Sequence, residues 1–231
     1  MEERLKKIHS TGYWRVNIRP TLFEQTRIPS LKTCREIIES SIVRLSGWDY
    51  PYLDPEETAN GDDWIQSGRD HGRYVEYWRV YQSGQFIHHF ACFEDFTNPS
   101  ELSQYIEKPS PSGRYLSILS TLYKVTEIFE FAARLASKNI LSPETEISIK
   151  LVGTEGRQLF FWSRSRHQPI DYICKIPEIT FSKIYQTVEL LASASDLALD
   201  TTVYIFERFN WMSVPRGLLT EEQKKLLERR L

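Results

Sequence analysis

The chain has 231 residues, 41% hydrophobic and 26% charged, with a formal net charge of −2. That balance excludes wholesale disorder. The lack of a basic excess excludes a protein whose main business is wrapping nucleic-acid backbone, while a local basic patch stays open. Aromatic residues make up 13% of the chain, enough rings to bury a substantial core. The three cysteines, Cys34, Cys92 and Cys174, lie far apart in apolar contexts. They read as reduced, buried thiols rather than a disulfide framework or zinc site. The first residues lack the apolar stretch of a signal peptide, and no apolar run reaches the length of a membrane span. The expectation is a soluble, cytoplasmic chain with no membrane partner.

Residues 1–10 are charged and suit a short helix or a loose arm. Residues 13–18 alternate and predict a strand closed by Pro20. Ser30 caps a predicted helix to about Leu45, with Leu31, Cys34, Ile38, Ile42 and Leu45 on one stripe and Gly47 at its C′ position. Residues 48–70 are rich in Pro, Gly, Asp and Asn yet carry Trp48, Tyr50, Tyr52, Leu53, Trp64 and Ile65. They predict a long ordered loop pinned by its aromatics, the first place to look for a site. Residues 74–93, YVEYWRVYQSGQFIHHFACF, predict a β-hairpin with a two-residue Ser83-Gly84 turn. With Gln82 opposite Gln85, Val75, Tyr77, Arg79 and Tyr81 share a face with Phe86, His88, Phe90 and Cys92. Glu76, Trp78 and Val80 then share the other face with Ile87, His89 and Ala91, as in a central hairpin covered on both sides.

Residues 97–113 form a polar connection to the longest predicted helix, 114–138. Tyr115, Ile118, Leu119, Leu122, Val125, Phe129 and Ala133 make its broad apolar face, and Ile128, Phe131 and Leu135 point the other way. Past Pro143 a second hairpin is predicted from residues 146–152 and 158–162. A basic loop, 164–169, leads to a short strand near 172–176 and a helix over 181–194 with Ile184, Val188 and Leu191 as its stripe. Residues 199–211 suit strand or helix; Asp196 and Asp200 favour helix. Thr220–Gln223 reads as a capping box opening the last helix. The fold class that follows is α+β, with antiparallel β-hairpins packed against a long central helix. It is read as a single domain, 1–231, with 12–139 and 140–231 as its potential sub-lobes.

The chain has no nucleophile elbow, phosphate-binding loop or dinucleotide fingerprint. His88 and His89 are adjacent on a strand, point to opposite faces and cannot hold one metal ion together. His88 and Glu76 are open to structural or reactive roles. The acidic loop Asp54, Glu56, Glu57, Asp62 and Asp63 suits a hard cation in composition but lacks the order of a calcium loop, so no metal ligand and no cofactor is assigned. Arg157, Arg164, Arg166 and His167 lie beside Phe160, Phe161 and Trp162. Such interleaving grips phosphate and stacks bases; the alternative is a hairpin rim whose arginines pair with glutamates. Trp48 and Tyr50 form either a ligand slot or a core plug, and Trp64 belongs to the same aromatic loop.

Gly-Trp-Asp-Tyr-Pro at 47–51, Glu-Tyr-Trp-Arg-Val-Tyr-Gln-Ser-Gly-Gln-Phe at 76–86 and the helix sequence at 122–136 together resemble an uncharacterised prokaryotic module. The resemblance covers the chain from about Arg19 onward. In that family the module is sometimes joined to a Schlafen-type AlbA-like domain, regarded as a nucleic-acid or nucleotide binder. The resemblance implies a cytosolic accessory or sensing module in prokaryotic regulation or antiviral defence, and it carries over no activity and no functional residue.

The function expected first is a non-enzymatic binding, interaction or sensing module working through a partner protein or as a homo-oligomer. The alternatives are a nucleic-acid or nucleotide binder built on the Arg157, Arg164 and Arg166 patch, and a metal-dependent hydrolase built on the acidic loop and hairpin histidine.

Overall fold

The computed structural model of the chain describes residues 2–106, 108, 110–163 and 170–230. A short helix, α1 (Glu2–His9), leads into β1 (Tyr13–Pro20), which buries Trp14, Val16 and Ile18 and leaves Arg15 and Arg19 exposed. Helix α2 (Leu31–Ser41) starts where Ser30 accepts the Thr33 N–H at 3.1 Å. It stops short of Leu45, so Gly47, at φ +88°, shapes the following loop instead of capping the helix. Strands β2 (Ala59–Asn60) and β3 (Trp64–His71) come next. The ordered loop expected over 48–70 therefore ends at residue 63, and its remainder is a strand paired with β4 (Tyr74–Tyr81). β5 (Phe86–Ala91) completes the hairpin. A 3-10 turn (Phe93–Phe96), helix α3 (Pro99–Leu102) and strand β6 (Tyr115–Ser117) precede α4 (Ile118–Ser137). The chain then forms β7 (Glu144–Val152), β8 (Gln158–Phe160), β9 (Glu178–Gln186), α5 (Thr187–Glu207) and α6 (Arg216–Leu227).

Seven strands form one sheet in the order β2-β3-β4-β5-β1-β7-β9, every neighbouring pair antiparallel. Its apolar face lies on α4: the Phe86 and Phe131 rings are 4.7 Å apart, and Phe129 meets Tyr185 edge-on at 5.8 Å. Helix α5 packs on α4, so α4 is covered on two sides, and Ile128, Phe129, Phe131 and Leu135 are all fully buried. This is the α+β arrangement with a long central helix. The other sheet face is largely polar except where α1 lays Ile8 on Val75, Tyr77 and Ala91.

Three expected elements take other forms. β7 and β8 are not a hairpin: β7 pairs with β1 and β9, while β8 pairs in parallel with β6 across α4. Residues 178–186 are an edge strand rather than the start of a helix, and Ile184, Val188 and Leu191 are exposed rather than a buried stripe. Helix α6 begins at Arg216, so Thr220 lies inside it and its hydroxyl donates to the Arg216 carbonyl.

The hairpin register also differs by one residue, with Trp78 facing His88 and Val80 facing Phe86. The loop holds Gln82, Ser83 and Gly84, closed by Tyr81 N–H to the Gln85 carbonyl at 2.9 Å. Gly84 sits at φ +85°, the left-handed position that ends a three-residue hairpin loop. One residue of slip exchanges the faces of a strand. Glu76 and His88, expected on opposite faces, therefore share the core face.

Candidate functional site

Glu76 and His88 are 4% and 1% exposed, and His88 Nε2 lies 2.8 Å from Glu76 Oε2. The loop after α2 finishes the carboxylate's shell: Trp48 Nε1 donates to Oε1 at 2.5 Å and the Tyr52 N–H to Oε2 at 3.2 Å. That loop is held from the helix side as well, because buried Glu127 on α4 accepts from the Ser46 N–H and hydroxyl and pairs with Lys124 at 3.0 Å. Burial pushes the Glu76 carboxyl up, but its bonds from His88 and Trp48 and the nearby Lys124 hold it below the ordinary carboxylate value. Burial pushes His88 down more strongly than Glu76 pulls it up. The pair is thus a carboxylate beside a neutral imidazole. A carboxylate only accepts, so the ring proton sits on Nε2 and Nδ1 is a bare acceptor.

That Nδ1 is buried and has no hydrogen-bond partner among the described residues, nor has the Thr121 hydroxyl. Both residues line one cavity of about 300 Å³ between the sheet and the start of α4. Its walls include two stacked aromatic sets: Trp48 on Tyr74 at 4.6 Å, and Trp14 on Phe90 at 5.8 Å. Glu94, from the 3-10 turn, also lines it; its Oε1 accepts the Ser117 N–H at 2.8 Å, and burial raises its pKa to about 7. A cavity walled by stacked aromatic rings with a buried carboxyl among them has the chemistry of a small-molecule site. A second cavity, about 690 Å³, lies beyond Glu94 and is lined largely by small and polar residues; its Asp95 is already committed to Arg157. The smaller cavity is the better candidate because two stacked aromatic sets wall it.

Among the described residues, the expected site residues do not converge. Arg157 is fully buried rather than part of an exposed basic patch: Nη1 and Nη2 bind the two Asp95 carboxylate oxygens at 2.8 and 2.7 Å. Its phosphate-gripping role is corrected to a structural one, since a closed ion pair leaves no face for a ligand. Arg164, Arg166 and His167 lie outside the described residues. Trp162 packs on Tyr105 and Phe160 in a satellite cluster. Tyr50 is a core plug, edge-on to Phe131 at 5.7 Å, whereas Trp48 lines the cavity. Trp64 pairs with Tyr81 on the opposite sheet face, its ring under the Arg79 guanidinium at 4.0 Å. In the acidic loop Asp54 is bound by Arg69, and among the described residues no group of three or more His, Cys, Asp or Glu is placed to hold a metal ion.

Glu76, His88, Glu94 and Thr121 are the residues the sequence reading passed over as a set. The signal for the first two was the glycine at the end of the hairpin loop, which permits a three-residue connection as readily as a two-residue one. Among the described residues no helix is long and apolar enough to cross a membrane. Compared with known proteins, the chain matches no family model, no curated protein and no solved structure.

Proposed function

We propose that the chain is a non-enzymatic binding or sensing module whose small-molecule ligand enters the cavity between the sheet and α4. The observation that carries this reading is a cavity of about 300 Å³ walled by the stacked rings of Trp48 on Tyr74 and Trp14 on Phe90, with the buried Glu94 carboxyl beside them. Glu76 acts as a positioning group, holding the His88 ring in one tautomer behind the cavity wall. The output side of the proposal is a partner protein or a second copy of the chain, as in the regulatory or defence setting the resemblance implies. Exposed Ile184, Val188 and Leu191, at the edge strand β9 and the adjoining start of α5, support a contact there.

Native mass spectrometry of the protein purified gently from its own host, before and after denaturation, tests the reading. It predicts a small-molecule adduct that is released on unfolding and is absent in Ser120→Phe, which plugs the cavity from its helical wall. An adduct retained in a folded Ser120→Phe protein overturns the assignment to this cavity.

A further inference from the structure

Resting on the reading of the cavity as a ligand site, the charge on its walls narrows what enters. Among the described residues the charged groups lining it are Glu76, Glu94 and Lys124. Lys124 is answered by Glu127 at 3.0 Å. The guanidiniums just outside are answered too, Arg157 by Asp95 at 2.7 Å and Arg73 by Glu101 at 3.2 Å. Glu76 lies against a neutral imidazole and is already satisfied by His88, Trp48 and the Tyr52 N–H. Each cation near the cavity thus has its own carboxylate, and the surplus charge is negative. An anion would be desolvated there with no countercharge to offset the cost; a cation enters a favourable field.

Glu94 is the group with capacity to spare. It is 4% exposed, and its Oε1 accepts the Ser117 N–H at 2.8 Å. Oε2 accepts no hydrogen bond from any other described residue, yet it is not among the unpaired atoms sealed from solvent, as His88 Nδ1 and the Thr121 hydroxyl are. The residual exposure of the carboxyl therefore includes Oε2. Glu94 stands between the two cavities and lines both. The aromatic walls choose between them. Trp48 on Tyr74 and Trp14 on Phe90 belong to the smaller cavity, and ring faces attract a cation most strongly where water is excluded. Flat walls favour a flat ligand, and about 300 Å³ suits one ring or two fused rings and not a polymer. Burial lifts the Glu94 carboxyl to about 7, so near neutral pH it ionises readily beside an arriving cation.

We infer that the smaller cavity binds a planar aromatic cation, of the amidine or aminoheterocycle class, that lies against the aromatic walls and donates an N–H to Glu94 Oε2.

The experiment is isothermal calorimetry and thermal shift on the full chain at neutral pH with benzamidine and its neutral isostere benzamide. Benzamide keeps the ring, the shape and an N–H but not the charge. Benzamidine is expected to bind at least about tenfold more tightly, as a charge-assisted bond outweighs a neutral one. That preference is expected to vanish in Glu94→Gln, which keeps an acceptor for the Ser117 N–H, and all binding in Ser120→Phe, which fills the smaller cavity alone. The comparison of the two ligands is made on the unaltered protein, so it does not depend on any variant folding. Equal binding of both, abolished in Ser120→Phe, overturns the cation and leaves the cavity as a ligand site. A benzamidine preference that survives in Glu94→Gln overturns the carboxyl contact. Binding lost in Glu94→Gln but kept in a folded Ser120→Phe protein places the cation in the larger cavity and overturns the assignment. No binding of either probe, together with a native adduct that Ser120→Phe removes, overturns the ligand class and leaves the site standing. No binding and no adduct overturns both.

Discussion

Replacing Arg157 by methionine separates a structural arginine from a ligand-gripping one. The guanidinium is fully buried and, besides its two bonds to Asp95, donates to the Tyr115 carbonyl at 2.6 Å and the Gly153 carbonyl at 3.2 Å. Methionine fills comparable space and supplies no donor. Asp95 would keep the Gly12 N–H at 2.8 Å but lose its countercharge, and two carbonyls would lose a partner. Leaving one member of a buried ion pair uncompensated costs about 3–5 kcal/mol, and the orphaned carbonyls push the loss toward the upper end. Against a total stability on the order of 5–15 kcal/mol, and at about 2–4 °C per kcal/mol for a chain of this size, the melting temperature falls by about 10 °C or more. Urea denaturation and thermal melts of Arg157→Met read this directly. The double variant Asp95→Leu/Arg157→Met is expected to lose less than the two single losses added together, because neither charge is then left alone. A loss under about 1 kcal/mol in Arg157→Met, outside the range for a broken buried pair, or strict additivity in the double variant, would refute the structural role.

Other outcomes follow from the site and its frame. Glu94 keeps its proton up to about pH 7 in the fold against an ordinary value of 4.5, so the folded state binds more protons across that window and stability falls as pH rises through it. The displacement corresponds to about 3 kcal/mol; Glu94→Gln, which keeps an acceptor for the Ser117 N–H, is expected to flatten that slope in denaturant titrations from acid to mildly alkaline pH, and an unchanged slope would contradict it. Trp48→Phe keeps the stack on Tyr74 but removes a donor to buried Glu76, and is expected to cost about 1–3 kcal/mol by chemical denaturation. At Gly84 a Cβ would stand 2.4 Å from the Ile140 carbonyl oxygen at a φ of +85°, so Gly84→Ala should destabilise by about 1–3 kcal/mol, with wild-type stability as the contrary result. Val188→Ser/Leu191→Ser sits on exposed positions and should leave the midpoint within about 0.5 kcal/mol per site; a core-sized loss would mean the stripe is buried.

Elements with a strong local period were legible in the sequence. β1, the Ser30 cap, the two-sided burial of α4 and the helical reading of residues 199–207 all follow from spacing and capping. What escaped was decided by partners far along the chain. β8 finds its strand partner β6 on the other side of α4, so its neighbours in sequence suggested a hairpin that does not form. β9 is an edge strand with most side chains in solvent, which erases the alternation that marks a half-buried strand; Ile184, Val188 and Leu191 then mimic a helical stripe. Arg157 read as surface charge because Asp95, the residue that permits its burial, lies in the 3-10 turn after the hairpin. The candidate site depended on a single residue of register. The sequence placed Trp48 near the hairpin but put Glu76 and His88 on opposite faces, because the turn was read as two residues rather than three.

The central claim, that Glu76 holds His88 as a neutral ring with its proton on Nε2 behind the cavity wall, is tested most directly by long-range proton–nitrogen NMR of histidine-labelled protein. The account predicts that His88 carries a single proton, on Nε2, at neutral pH. A His88 ring protonated on both nitrogens, or on Nδ1 alone, would contradict it.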